Sequence, residues 1–109
     1  MKIVDGKLIT CILPDGAAHG LMERLREERG IESSMSHHAR GMGFSGSRRR
    51  RGIAEQIEKD ILLVAVSSEQ ADEVFEFIYY AGGLDRPHAG FMFMERLRFV
   101  PPPRIMHDD

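Results

Sequence analysis

The run Ile61-Leu62-Leu63-Val64-Ala65-Val66 stands between Lys59-Asp60 and Ser67-Ser68. An unbroken apolar run of this length, rich in β-branched residues and closed by polar stops, is the pattern of a strand buried on both faces. Directly after it Ser68 stands as an N-cap with Ala71 one turn on. Val74, Phe75, Phe77, Ile78 and Ala81 then recur at helical spacing until Gly82-Gly83 ends the helix. The same pairing occurs upstream. Lys7-Leu-Ile-Thr-Cys-Ile-Leu13 reads as a strand stopped by Pro14-Asp15-Gly16, and Ala17 to Arg29 carries Leu21, Met22 and Leu25 on one stripe before Gly30. Ile31 to Ala39 alternates loosely and is predicted to be a second strand. Phe91-Met-Phe-Met94 is predicted to be a fourth, before Pro101-Pro-Pro103 forbids further ladder pairing.

The order is β-α-β-β-α-β, which predicts an α+β chain of ferredoxin-like topology, an antiparallel four-stranded sheet with both helices on one face. A sheet covered on one side leaves its second face bare. Apolar residues there call for another copy of the chain, so a symmetric oligomer is expected.

With 109 residues, 42% of them hydrophobic and 29% charged, the chain is expected to form one domain, residues 1–109. Its formal charge of −2 argues against a surface built wholly for nucleic acid. The charge is nevertheless sorted. Residues 40–52 hold five arginines, four glycines and no acid, and the remainder carries ten bases against seventeen acids, a balance of −7. So glycine-rich a stretch, with so little to bury, is expected to be a mobile cationic loop. Arg48, Arg49, Arg50 and Arg51 are its candidate partner-binding residues, and a Pro-rich tail is expected from about residue 101.

The single cysteine, Cys11, excludes an intramolecular disulfide and suits a reducing, cytoplasmic compartment. The start of the chain does not read as a secretory leader, and no apolar run approaches the length of a membrane span. Ala89-Gly-Phe-Met-Phe-Met94 has the look of an RNA-recognition strand. In that module, however, the aromatic strand lies between the two helices, and here it follows the second. Nucleic acid is therefore not the expected partner, and Phe91 and Phe93 are read as core or interface groups. His37, His38, Cys11, His88 and Met94 raise a metal reading, but adjacent histidines on a strand point to opposite faces and no metal site is assigned. Neither a nucleophile elbow, a P-loop nor a spaced carboxylate pair is present, so the chain is expected not to be an enzyme.

Taken together these segments resemble the P-II nitrogen-regulatory signalling proteins, in a divergent, P-II-like branch. Lys7 to Leu13 resembles the opening strand of that family, Gly41-Met-Gly43 the Gly-aromatic-Gly at the entrance of its long T-loop, and Arg51-Gly-Ile-Ala-Glu55 the far side of that loop. Val64-Ala-Val66, Ser68 to Asp72 and Phe91-Met-Phe93 resemble its third strand, second helix start and fourth strand. The resemblance implies a homotrimer whose intersubunit clefts take an adenine nucleotide (ATP, ADP or AMP) or a small anion. It also implies a T-loop, here at about 41–58, that engages a partner protein such as a transporter or enzyme. Gly41, Gly43, Phe44, Ala65, Pro87, His88, Ala89 and Gly90 would line the cleft. The basic or amide side chains that hold phosphates in the family are replaced by Phe44-Ser45, Gly90, Pro101 and Pro103, with Arg40, Arg86 and Arg104 as the available substitutes. The divalent-cation-tolerance proteins of CutA type share the trimeric fold and supply the alternative, a metal-binding ferredoxin-like trimer.

Overall fold

Apolar residues alternate with half-exposed ones along the two strands at the centre of the sheet, and the layering of the molecule follows from that alternation. The computed structural model describes residues 1–44 and 54–103. Strand β1 (Val4–Pro14), helix α1 (Ala18–Arg29), strands β2 (Ser34–Phe44) and β3 (Ala54–Ser67), helix α2 (Ala71–Ala81) and strand β4 (Phe91–Phe99) follow in the expected order. The strands pair antiparallel as β2-β3-β1-β4, which is the ferredoxin-like topology.

Ile9, Cys11 and Leu13 of β1 lie across from Val64, Leu62 and Asp60 of β3, and Ile9 and Cys11 from Met94 and Met92 of β4. Directly opposed residues share a face. This face carries the core, in which Ile9, Cys11, Leu13, Leu62, Val64 and Val66 pack against Leu21 and Leu25 of α1 and Val74 and Ile78 of α2. Burying a side chain of this size contributes about 1.5–3 kcal/mol. Gly30, in the left-handed conformation at φ 66°, ends α1 by donating its N–H to Arg26 O, as its position predicts.

Several expectations are corrected by the ladders. The run 61–66 is buried on one face only: Leu62, Val64 and Val66 are enclosed, whereas Ile61, Leu63 and Ala65 are half-exposed, because both helices sit on the same side. Strand β2 begins at Ser34 rather than Ile31, which is buried in the connection after α1 with its N–H on Leu25 O. Helix α2 begins at Ala71 after Gln70, with no side-chain cap. Ser68 instead sits in the preceding turn, donating its N–H to Asp5 O.

The largest difference concerns the margins of the expected loop. Arg40 to Phe44 pair in register with Glu58 to Ala54, so positions 41–44 and 54–58 belong to a strand ribbon. Composition missed this because a backbone ladder satisfies its own N–H and C=O groups without needing side chains to bury. Residues 45–53, with Arg48, Arg49, Arg50 and Arg51 and the expected mobile segment, lie outside the described residues, as do 104–109 with Arg104 and His107.

Two glycine substitutions test this packing. Gly90 holds φ at 119°, and a Cβ there would strike the carbonyl oxygen of Ile12. Gly90→Ala is expected to lower the unfolding free energy by about 1–3 kcal/mol, read as an earlier denaturation midpoint. Gly20→Ala on α1, where open space surrounds the new methyl, is expected to raise it by about 0.5–1 kcal/mol.

Candidate functional site

The two ends of the sheet divide the cleft residues inferred from sequence. Gly41, Gly43 and Phe44 lie on β2 opposite Ile57, Glu55 and Ala54. The connection from α2 to β4 brings Pro87-His88-Ala89-Gly90 to that same end, with Gly90 against the Ile12 carbonyl. Pro87 and His88 are exposed and Ala89 half-buried against the core. His88 is a non-glycine residue at positive φ, 62°, so this short loop is bent tightly where it meets β4.

Ala65 lies elsewhere. It pairs with Leu8 of β1, and its N–H donates to Ser33 O at 2.9 Å. Eight positions of β3 separate it from Ile57, the partner of Gly41, which is roughly 26 Å along an extended strand. At the Ala65 end an open cleft of about 590 Å³ is lined by Ile31, Ser33, Ala65, Gln70, Phe99 and Pro101. Among the described residues no Lys or Arg lines it, while Glu32 does. Of the three arginines available as phosphate ligands, Arg40 is paired with Glu58 at 2.8 Å and Arg86 folds back with its Nε 3.4 Å from Gly83 O. The chain by itself therefore does not assemble the eight residues into one site.

A cluster of titratable groups that sequence reading did not bring together lies where β1 turns into α1. Helix α1 has no side-chain cap of its own, because Ala17 precedes it. Asp60 of β3 supplies the acceptor instead: the Ala18 N–H donates to its Oδ2 at 3.0 Å. That bond, opposed by desolvation and aided by His38, holds the Asp60 carboxyl below the usual aspartate range. His38, opposite Asp60 on β2, places Nδ1 3.3 Å from Asp60 Oδ1 and 3.2 Å from Asp15 Oδ1, with Nε2 3.8 Å from a Glu58 oxygen. The hydrogen bond to Asp60, with Asp15 and Glu58 adding attraction, raises the His38 pKa above its ordinary value. The signal for Asp15 and Asp60 was present in the sequence but was read otherwise, as a Pro-Asp-Gly turn and as the polar stop of a strand.

The five residues behind the metal reading do not converge. His37 lies opposite Ile61 on the helix-free face and His38 opposite Asp60 on the helix face, the opposite orientations expected of strand neighbours. Cys11 and Met94 lie on the helix-covered face and His88 in the loop before β4.

The helix-free face is mostly apolar, with Thr10, His37, Lys59 and Glu95 as polar residues on it. Leu8, Ile12, Ile61, Leu63 and Leu97 are half-buried there, and Met35, Phe91 and Phe93 remain 58%, 60% and 42% exposed. The Phe91 and Phe93 rings stack on each other at 6.2 Å rather than entering the core.

No family model matches the chain, and no curated protein does. Solved structures do. CPII, a nitrogen regulatory PII-like protein from Thiomonas intermedia K12 bound to ADP, AMP and bicarbonate, is similar with a TM-score of 0.62 and 18% identity over 94% of this chain and 100% of the other. A putative PII-like signaling protein from Thermus thermophilus gives 0.60 and 25% over 92% and 94%. The periplasmic divalent cation tolerance protein CutA from Archaeoglobus fulgidus gives 0.57 and 12% over 94% and 88%. The resemblance to P-II-like proteins read from sequence thus holds at the level of the fold, across nearly the whole chain.

Burial raises the Cys11 thiol to about 12, so almost none of it is thiolate at neutral pH. The native chain is expected to resist alkylation by iodoacetamide at pH 8 and to react at once in denaturant, a difference that intact mass measures.

Proposed function

We propose that this chain is a P-II-like trimeric regulatory protein, without catalytic activity, that takes a small effector in clefts between subunits and controls a partner protein through the segment beyond the β2–β3 ribbon. The observation that carries this reading is the apolar helix-free face. Phe91, Phe93 and Met35 stand exposed on a surface continuous with Leu8, Ile12, Ile61 and Leu63. Fully burying such a ring contributes about 1.5–3 kcal/mol, which a second and third copy supply by packing sheet against sheet.

The divided cleft residues support the same assembly. The Ala65 cleft of one subunit and the Gly41–Phe44 and Pro87–Gly90 elements of a neighbour make a site that one chain cannot close. The effector class is an adenine nucleotide or a small anion such as bicarbonate, in keeping with the ligands named for CPII. Among the described residues Arg40 and Arg86 are engaged elsewhere and no Lys or Arg lines the Ala65 cleft, so AMP and ADP suit it better than a triphosphate. Arg48, Arg49, Arg50 and Arg51 supply the charge that draws an acidic partner, and each effector acts by favouring one arrangement of that segment. Among the described residues no helix is long and apolar enough to cross a membrane. The alternative, a CutA-type metal-binding trimer, has the fold but not the converging Cys11, His37, His38, His88 and Met94 donors read from sequence.

Two experiments test this. In light scattering after gel filtration the chain is expected at three times its 12.4 kDa mass, and Phe93→Asp is expected to release monomers that keep native helical content. A wild-type monomer overturns the assembly. Calorimetric titration with AMP, ADP, ATP and bicarbonate is expected to give saturable heat with at least one of them, and silence across the panel overturns effector binding.

A further inference from the structure

We propose that Asp15, His38 and Asp60 form a binding site for a divalent transition ion, with zinc as the type case, at the base of the β2–β3 ribbon. Three separate elements supply the donors: the turn after β1, strand β2 and strand β3. One nitrogen and two carboxylate oxygens lie within 4.8 Å of one another. The Nδ1 separations of 3.2 and 3.3 Å match the edges of a tetrahedron built from bonds of about 2.0–2.2 Å, the range for zinc with imidazole and carboxylate. Without an ion, one Nδ1–H must be shared between two carboxylates at distances longer than a strong charged hydrogen bond.

Charge and support point the same way. Two aspartates with a neutral imidazole balance a divalent cation. The Ala18 N–H on Asp60 Oδ2 anchors that carboxylate and leaves Oδ1 turned to the cluster. Glu58 stands on the Nε2 side of His38, the position from which outer carboxylates orient ligating histidines, and its own charge is met by Arg40. Asp15 and His38 are about half-exposed, so an ion has a path in and a position remains for water or a further ligand. Such an ion would pin the turn before α1 to both strands of the ribbon, whether or not the chain forms trimers or binds nucleotide.

The test uses the full chain, stripped with chelator and titrated with Co²⁺ while visible absorption is recorded, followed by displacement with Zn²⁺. One equivalent per chain is expected, displaced by zinc. His38→Gln and Asp15→Asn are each expected to weaken binding by more than about 10-fold. His37→Gln, on the opposite face, is expected to leave it unchanged. Asp15 and His38 are exposed, and circular dichroism verifies that their variants fold; Asp60, which also caps α1, is left intact. Absence of a saturable signal, or binding that survives both His38→Gln and Asp15→Asn, overturns the site.

Discussion

Helices of 12 and 11 residues can cover one face of a four-stranded sheet and no more. That geometric limit governs this molecule. On the covered face Ile9, Cys11, Leu13, Leu62, Val64 and Val66 are excluded from water. On the other, residues of similar character have no helix above them. Burial of apolar area is the dominant favourable term in folding and in association, so in the isolated chain the second face leaves part of that term unrealised.

The same limit separates structure from candidate function. The core side is closed: Cys11 is inert there, and Asp60 spends one oxygen on the start of α1. The chemistry that remains is at the ends of the sheet, where strands run beyond the helices. One end gathers the ribbon base, the loop through Gly90 and the cluster of Asp15, His38 and Asp60. The other holds the cleft beside Ala65.

The neighbours in structure space agree on the fold while differing in what their descriptions say they do. One fold serving nucleotide and cation proteins is expected, because the sheet and helices are set by packing while ligands are held by residues outside the core. In this chain the residues that would distinguish such roles are few, and the arrangement of two arginines decides much. Arg40 is neutralised across the ribbon by Glu58 and Arg86 turns back on its own loop, and at the other end of the sheet no Lys or Arg among the described residues lines the Ala65 cleft.

The run from Ile61 to Val66, the stripe of Leu21 and Leu25, and the stops at Gly30 and Pro101 were enough to establish the order of elements and hence the topology, because burial periodicity is a local property of the chain. The separation of His37 from His38 onto opposite faces was legible for the same reason. What remained hidden was every relation between distant segments. That Ile61, Leu63 and Ala65 lack a cover depends on where both helices land. That Gly41 to Phe44 form a ladder depends on backbone groups of residues 54–58, to which composition is blind. The meeting of Asp15, His38 and Asp60 depends on a register between β2 and β3 and on a turn 45 positions before Asp60. Local sequence specifies which residues are apolar and where the chain bends, but long-range pairing alone brings charged groups within reach of one another.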